Sequence, residues 1–307
     1  MITRYPHNPI LTRKDVPYPV ATVHNAGVTK FGEEYIMLFR SHKMNGRSIL
    51  GLARSHDGLD WKVDPEPFLV PAREGNFARY EEYGVEDPRI TFLDGEYLIT
   101  YSAYSRYGVR IGLAKTRDWR SVERFSLITE ADYRNVVIFP EKFNGLYARL
   151  DRPHSEISPW SVWISYSPDL RFWGESRLIM KPVQYHWDEM KIGPGAPPIK
   201  TGKGWLNIYH GVYPTMDGSV YRLGVALHDL EAPSRIIGVG DDWILQPEEP
   251  YELTGYVHNV VFTCGAIPED DGTVKIYWGA ADSVMCVGTA QIDDLVGLCL
   301  TNSRSAL

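Results

Sequence analysis

Cysteine is scarce in this chain: Cys264, Cys286 and Cys299 are the only three, far apart and odd in number. They show no zinc-like spacing, and a chain of 307 residues needs no disulfide framework to hold a core. Positive charge is also short, with 32 Lys and Arg against 39 Asp and Glu and a net charge of −7. No basic run appears, which excludes a general nucleic-acid binder; a local cluster of bases around a small anion is compatible with that balance. No apolar run approaches membrane-spanning length, and the opening residues Met1 to Pro6 lack the hydrophobic stretch of a signal peptide. The expectation is a soluble, cytoplasmic protein that binds neither nucleic acid nor membrane.

What the chain has in quantity is turn and strand chemistry: 27 glycines, 21 prolines and 12% aromatic residues. These suit many short strands better than helices. A short pattern recurs at Gly51-Leu52-Ala53-Arg54-Ser55 and Gly112-Leu113-Ala114-Lys115-Thr116, with weaker copies from Val162, Gly224 and Gly288. Ahead of each copy lies a strand-like segment: Tyr35–Phe39, Tyr97–Tyr101, Tyr147–Leu150, Trp205–Tyr209 and Val274–Trp278. The turns feeding these segments carry Gly32, Gly95, Gly145, Gly204 and Gly272, a hairpin signal. A further segment precedes each hairpin, beginning near Asn25, Asp87, Asn135, Ile192 and Asn259. Asp57 to Trp61, Arg117 to Trp119 and Pro168 to Trp173 each join a turn to an aromatic that begins an outer fourth strand. Four strands repeated five times, at roughly 60 residues each, predict an all-β, five-bladed β-propeller with residues 1–307 as one domain.

A propeller's inner strands surround a channel, and ligands bind at its mouth. Near the start of the first strands stand Asn25, Asp87, Arg134, Lys191 and Asn259; just past the end of the second strands stand Arg40, Ser102, Arg152, His210 and Asp282. Antiparallel pairing brings these two sets to one end. Arg134, Arg152, Lys191 and His210 come from the third and fourth repeats and share a sector, suited to a small tetrahedral oxyanion. With the carboxylates of Asp87 and Asp282 and the aromatics Tyr83, Tyr104, Tyr209 and Tyr213, they describe a sugar site with an anion pocket. Structural alternatives stay open for single residues. Asp87 before Pro88 suits a turn with Arg89 as its partner, the arginines suit surface ion pairs, His210 suits a satisfied core histidine, and Asp282 suits a turn cap. Trp61, Trp119 and Trp173 read as blade packing, and His24 with His258 makes a weak metal site.

In their order, Asn8-Pro9-Ile10-Leu11, His24-Asn25-Ala26-Gly27, Glu86-Asp87-Pro88-Arg89, Arg134-Asn135, Phe139-Pro140-Glu141-Lys142, Asp151-Arg152-Pro153, Lys191-Ile192-Gly193-Pro194-Gly195, Tyr209-His210-Gly211-Val212 and Ala281-Asp282-Ser283 form a specific set. Over nearly its whole length the chain resembles glycoside hydrolase family 130, the β-mannoside phosphorylases and related mannosidases. The resemblance implies the five-bladed propeller, a catalytic acid at Asp87, and phosphate-binding positions at Arg134, Arg152, Lys191 and His210. It places Asn25, Arg40 and Asp282 near the sugar; Tyr104 is added from the residue reading. Inorganic phosphate is the co-substrate, no metal or other cofactor is required, and relatives commonly form homo-oligomers, for which the sequence carries no interface signature. Ala26, where some members have serine, and Ser41-His42, where an acidic residue often follows the arginine, are departures that bear on linkage and acceptor.

An inverting hydrolase uses two carboxyl groups, one protonating the leaving oxygen and one activating water. Phosphate is already a nucleophile, so the expected reaction is phosphorolysis of a β-mannoside to α-mannose 1-phosphate, with Asp87 protonated by burial or by its neighbour Glu86. The resemblance also implies that the proton passes through the mannose 3-hydroxyl. The alternatives are an inverting β-mannosidase with Asp282 or Glu86 as base, and a non-catalytic carbohydrate-binding propeller.

Overall fold

In the computed structural model, which describes all of residues 1–307, the chain is mostly β-strand. After β1 (Thr3–Arg4) comes a run of β2 (His24–Phe31), β3 (Glu34–His42), β4 (Ser48–Ser55) and β5 (Lys62–Val63). The second run is β6 (Gly84–Leu93), β7 (Glu96–Ser105), β8 (Gly108–Thr116) and β9 (Glu123–Leu127), preceded by the helix α1 (Gly75–Tyr80). The third is β10 (Tyr133–Phe143), β11 (Leu146–Pro153), β12 (Val162–Ser167) and β13 (Gly174–Met180). In the fourth, β14 (Lys191–Pro194) and β15 (Ile199–Lys200) both pair with β16 (Trp205–Thr215), followed by β17 (Gly218–His228) and β18 (Ile236–Gly240). The helix α2 (Pro250–Leu253) leads into β19 (Val261–Pro268), β20 (Thr273–Ala280) and β21 (Val284–Gln291), and α3 (Ile292–Thr301) and β22 (Ser303–Arg304) end the chain.

Within each run successive strands pair antiparallel, giving four sheets because one parallel bridge, Ser48 to Gly84, joins the first two runs. All five glycine-fed hairpins are present. The last run receives its fourth strand from the N-terminus: β1 pairs with β21, Thr3 opposite Thr289. The first strands are neighbours, β2 beside β6, β6 beside β10, β10 beside β14, and β19 beside β2. Apolar clusters fill the spaces between adjacent sheets; one joins Leu206 and Val225 of the fourth run to Ile276 and Trp278 of the fifth. No helix is long and apolar enough to cross a membrane.

The recurring sequence pattern has a packing cause. Phe39 lies opposite Gly51 and Tyr101 opposite Gly112, so the ring of the second strand lies across a bare third-strand backbone. A Cβ on Gly112 would sit 2.3 Å from the Tyr101 ring. The turn after the third strand is equally uniform. Asp57, Asp118 and Asp169 each accept two backbone N–H bonds through Oδ1, while Ser55, Thr116 and Ser167 accept a third. One expected strand is interrupted. The segment from Ile192 to Ile199 splits into β14 and β15 because Pro197 and Pro198 have no N–H to continue the ladder.

Candidate active site

The first strands of runs one to three carry the same defect. Register shifts fall between His24 and Gly27, Glu86 and Arg89, and Arg134 and Val137. Inside each bulge one residue takes a left-handed backbone: Asn25 (φ 48°), Asp87 (φ 49°) and Asn135 (φ 59°). Asn and Asp tolerate this region better than other side-chain-bearing residues, and a bulge re-aims the side chain it carries. All three line one cavity of about 340 Å³ with Arg40, Arg134, Arg152, Trp160, Lys191, Tyr221 and Asp282.

Expected equivalences shift by one residue in the third run. Arg134 pairs with Arg152 as Glu86 pairs with Ser102 and His24 with Arg40, so Asn135 is the counterpart of Asp87 and Asn25. Arg134 reaches the cavity from the position before the bulge.

The acidic side is a shared-arginine network. Arg40 donates from NH1 to Asp87 Oδ1 at 3.0 Å and from NH2 to Glu86 Oε1 at 2.8 Å. Asn25 Nδ2 donates to the same Asp87 oxygen at 2.9 Å, and Ser48 Oγ to Glu86 Oε1 at 3.0 Å. Arg40 NH2 also meets His42 Nε2 at 2.9 Å, which makes that nitrogen an acceptor. Arg89 is buried beneath, donating to the carbonyls of Asp87, Pro194 and Gly195 and to Asn135 Oδ1, so it holds the bulges rather than the Asp87 carboxylate.

Protonation departs from expectation. Burial pushes the Asp87 carboxyl up, but the Arg40 and Arg89 guanidiniums and the Asn25 hydrogen bond outweigh it and hold Asp87 well below the usual carboxylate range. Asp87 is therefore ionised in the free protein, because Arg40 lies between it and Glu86 and cancels the repulsion expected from that neighbour. Asp282 behaves in the opposite way: burial first, then the charges of Asp87 and Glu86, raise its carboxyl to about 6 against the pull of Arg40.

The basic side lacks carboxylates. Arg134 NH1 reaches Glu86 Oε2 at 3.4 Å, but Arg152 and Lys191 form no ion pair at all. Burial lowers Arg152 to about 10; burial and then Arg152 and Arg134 lower Lys191 to about 8. Both cations lie over the Trp160 ring, at 5.1 and 4.8 Å from its centroid. Mutually repelling cations, Arg152 buried and Lys191 half-buried, without counter-ions make a receptor for an anion.

His210 is fully buried and stands behind Arg152, off the cavity wall. Its Nε2 faces Arg152 NH1 at 3.1 Å and Asn135 Nδ2 at 3.3 Å. Both neighbours are donors, so Nε2 accepts and the ring is neutral, in keeping with burial and Arg152 driving its pKa well below the ordinary value. Gly193 makes room for it: a Cβ there would lie 2.6 Å from His210 Cε1.

Tyr104 and Tyr83 line a separate hollow of about 450 Å³ that shares Arg134, Arg152 and Trp160 with the first cavity. The two tyrosine rings meet edge to face at 5.6 Å. Tyr209 is misassigned as a site aromatic: it is buried, stacked on Trp187 and bonded to Asp188, because its side chain points to the opposite face of β16 from His210. Tyr213 and Asn259 line neither cavity. Sequence reading missed Asn135, Trp160 and Tyr221. The first had a signal in the repeated Asn/Asp of the bulges; Trp160, from the loop between β11 and β12, had none.

The sequence profile of glycoside hydrolase family 130, described as beta-1,4-mannooligosaccharide phosphorylase, matches residues 2–301. The chain is 37% identical over 259 residues to a 1,2-beta-oligomannan phosphorylase of Thermoanaerobacter sp. (strain X514), covering 83% of each chain. It is 31% identical over 303 residues to the beta-1,4-mannooligosaccharide phosphorylase of Ruminococcus albus, covering 96% of this chain and 90% of that one. The structure superposes on β-1,2-mannobiose phosphorylase from Listeria innocua, solved with β-1,2-mannobiose, with a TM-score of 0.90 at 31% identity, over 97% of this chain and 99% of that one. The chain therefore belongs to glycoside hydrolase family 130 and is a β-mannoside phosphorylase.

Proposed function

We propose that residues 1–307 form one five-bladed β-propeller domain that cleaves a β-1,2- or β-1,4-linked mannoside with inorganic phosphate in a single inverting displacement, giving α-mannose 1-phosphate. Support for the propeller comes from the five strand runs, the adjacency of their first strands and the N-terminal strand that completes the last sheet. Arg134, Arg152 and Lys191 bind phosphate, with His210 holding Arg152 in place. Asn25, Arg40 and Asp282 bind the mannose; Asp282 lines the cavity with no hydrogen bond or ion pair of its own, leaving its oxygens for sugar hydroxyls. Tyr104 borders the hollow that receives the leaving sugar chain.

Asp87 is the proton donor. Its proton goes to the leaving oxygen through the mannose 3-hydroxyl, while a phosphate oxygen forms the new bond to the anomeric carbon and the glycosidic bond breaks. Holding phosphate and sugar in line removes an entropic barrier of up to ~7–11 kcal/mol in ideal cases. One observation carries the choice of phosphate over water: Arg152, buried, and Lys191, half-buried, have no counter-ion in the cavity that also holds Asp87.

The test is incubation with β-1,2- and β-1,4-mannobiose and mannosyl-glucose, with and without phosphate. Sugar phosphate formed only with phosphate present is the expected result. Free mannose released equally well without phosphate would make the chain a hydrolase, and binding without turnover a carbohydrate-binding propeller.

A further inference from the structure

The proposed mechanism leaves a difficulty on the page: the proton donor is ionised in the free protein. Between it and the phosphate cradle lies one continuous chain of charge. Arg134 NH1 touches Glu86 Oε2 at 3.4 Å, the longest contact of the set. The other Glu86 oxygen accepts from Arg40 at 2.8 Å and from Ser48 at 3.0 Å. Arg40 in turn donates to Asp87 at 3.0 Å. Glu86 and Asp87 compete for one guanidinium, and Glu86 shares a second guanidinium with the site of the incoming anion.

We propose that Glu86 is a positioning residue that links phosphate binding to protonation of Asp87. The inference rests on the reading of Asp87 as proton donor and of Arg134, Arg152 and Lys191 as the phosphate cradle. A tetrahedral dianion entering the cradle draws Arg134 away from Glu86. Glu86 then keeps only Arg40 and Ser48, and its hold on Arg40 tightens. Asp87 loses part of its counter-charge while two negative groups, Glu86 and the anion, gain weight beside it. A proton from solvent adds to a carboxylate oxygen of Asp87; no other bond forms or breaks in this step. The donor is thus loaded only when the nucleophile is in place.

Other groups face Asp87. They are His24 on β2, His42 beside Arg40 on β3, Arg89 on its own strand, Arg152 on β11, His210 on β16, Tyr221 on β17, Cys264 on β19, and Asp282 in the turn after β20. His24, His42 and His210 are driven neutral by burial and by the arginines, and Arg89 is fixed on carbonyl oxygens. Only Arg40 is divided between two carboxylates, which makes it the adjustable partner.

The experiment is titration calorimetry with sulfate, a tetrahedral dianion that exchanges no proton in this range, at about pH 6 where Lys191 is already charged. Two buffers of different ionisation heat report the protons taken up. Wild type is expected to take up a proton on binding; Asp87→Asn loses this uptake and Glu86→Gln keeps less than half of it. In steady-state kinetics at saturating phosphate and mannoside, the high-pH limb of kcat in Glu86→Gln moves down by about one pH unit or more, as removal of a like charge requires. Its kcat recovers toward wild type at low pH. Arg134→Met cuts the same link from the other end and serves if Glu86→Gln fails to fold. Undiminished uptake in Asp87→Asn, which would put the proton on Asp282, overturns the proposal. So does a Glu86→Gln kcat lowered equally at every pH, the signature of a merely structural role. Sulfate binding that ignores Lys191→Met overturns the cradle itself, whereas sulfate bound through Lys191 without Asp87-dependent uptake sinks the linkage alone.

Discussion

Arg152 meets His210 nitrogen to nitrogen, NH1 3.1 Å from Nε2, a contact that exists only while the imidazole is neutral and accepts at Nε2. His210 thereby aims a guanidinium that has no carboxylate to aim it. Removing the acceptor in His210→Ala frees Arg152 to swing, and hydrogen bonds to charged groups contribute about 1.5–3 kcal/mol. The KM for phosphate should rise about 10- to 100-fold, with kcat at saturating phosphate falling much less. Initial rates over a phosphate series check this; an unchanged KM would falsify the positioning role.

Asp87 carries the second prediction. Asp87→Asn keeps the acceptor for Arg40 and Asn25 in nearly the same shape, so circular dichroism should stay close to wild type, while the thermal midpoint falls because Arg40 loses a buried counter-charge. Loss of the transferable proton should lower kcat by about 10²- to 10⁴-fold, the range for general acid catalysis. Release of α-mannose 1-phosphate is the readout. Activity within threefold of wild type would remove Asp87 from its role.

Phosphate affinity should depend on Lys191 and on pH together. In the free protein burial, then Arg152 and Arg134, bring the Lys191 ammonium down to about 8. Bound phosphate favours the charged form, so the complex keeps its proton to higher pH than the free protein. The Lys191 contribution to affinity is full below a pH of about 8 and is lost as pH rises through that value, by up to about tenfold per unit. In Lys191→Met the KM for phosphate should be raised at every pH and lose this step. Comparing the two profiles between neutral and alkaline pH decides the matter; a step retained in the variant assigns it elsewhere.

Much of this site is legible in the sequence because the repeat makes equivalent positions visible. The hairpins follow from five glycine turns, and Asn25, Asp87, Arg40, Arg152 and Asp282 fall where repeat arithmetic puts them. Arithmetic fails where the backbone departs from regular alternation. The bulge in β10 moves Asn135, not Arg134, into the position of Asp87, as the strand register and the left-handed φ show. Trp160 comes from a loop outside the repeat and has no periodic position to betray it. The charge state of Asp87 depends on Arg40 lying within 3.0 Å of both neighbouring carboxylates, a distance no spacing encodes.

The N-terminal strand is held to the rest of the chain by a buried ion pair as well as by its pairing with β21. β1 brings Arg4 against Glu252, a carboxylate with no exposed side-chain surface; Arg4 donates to it from Nε at 3.0 Å and from NH2 at 2.9 Å. Glu252 also accepts from the Trp278 indole and from two backbone N–H groups of the loop before it. Arg4→Ala strips the counter-charge from a buried anion, and breaking such a pair costs about 3–5 kcal/mol. Glu252→Gln keeps part of the hydrogen bonding and removes the charge that needed compensation, so in combination with Arg4→Ala it should recover a share of that loss. The thermal midpoint should fall by several degrees in Arg4→Ala and by less in the double variant, while kcat stays near wild type because neither residue lines the cavity. A midpoint equal to wild type in Arg4→Ala would mean that the Arg4–Glu252 pair contributes nothing to stability.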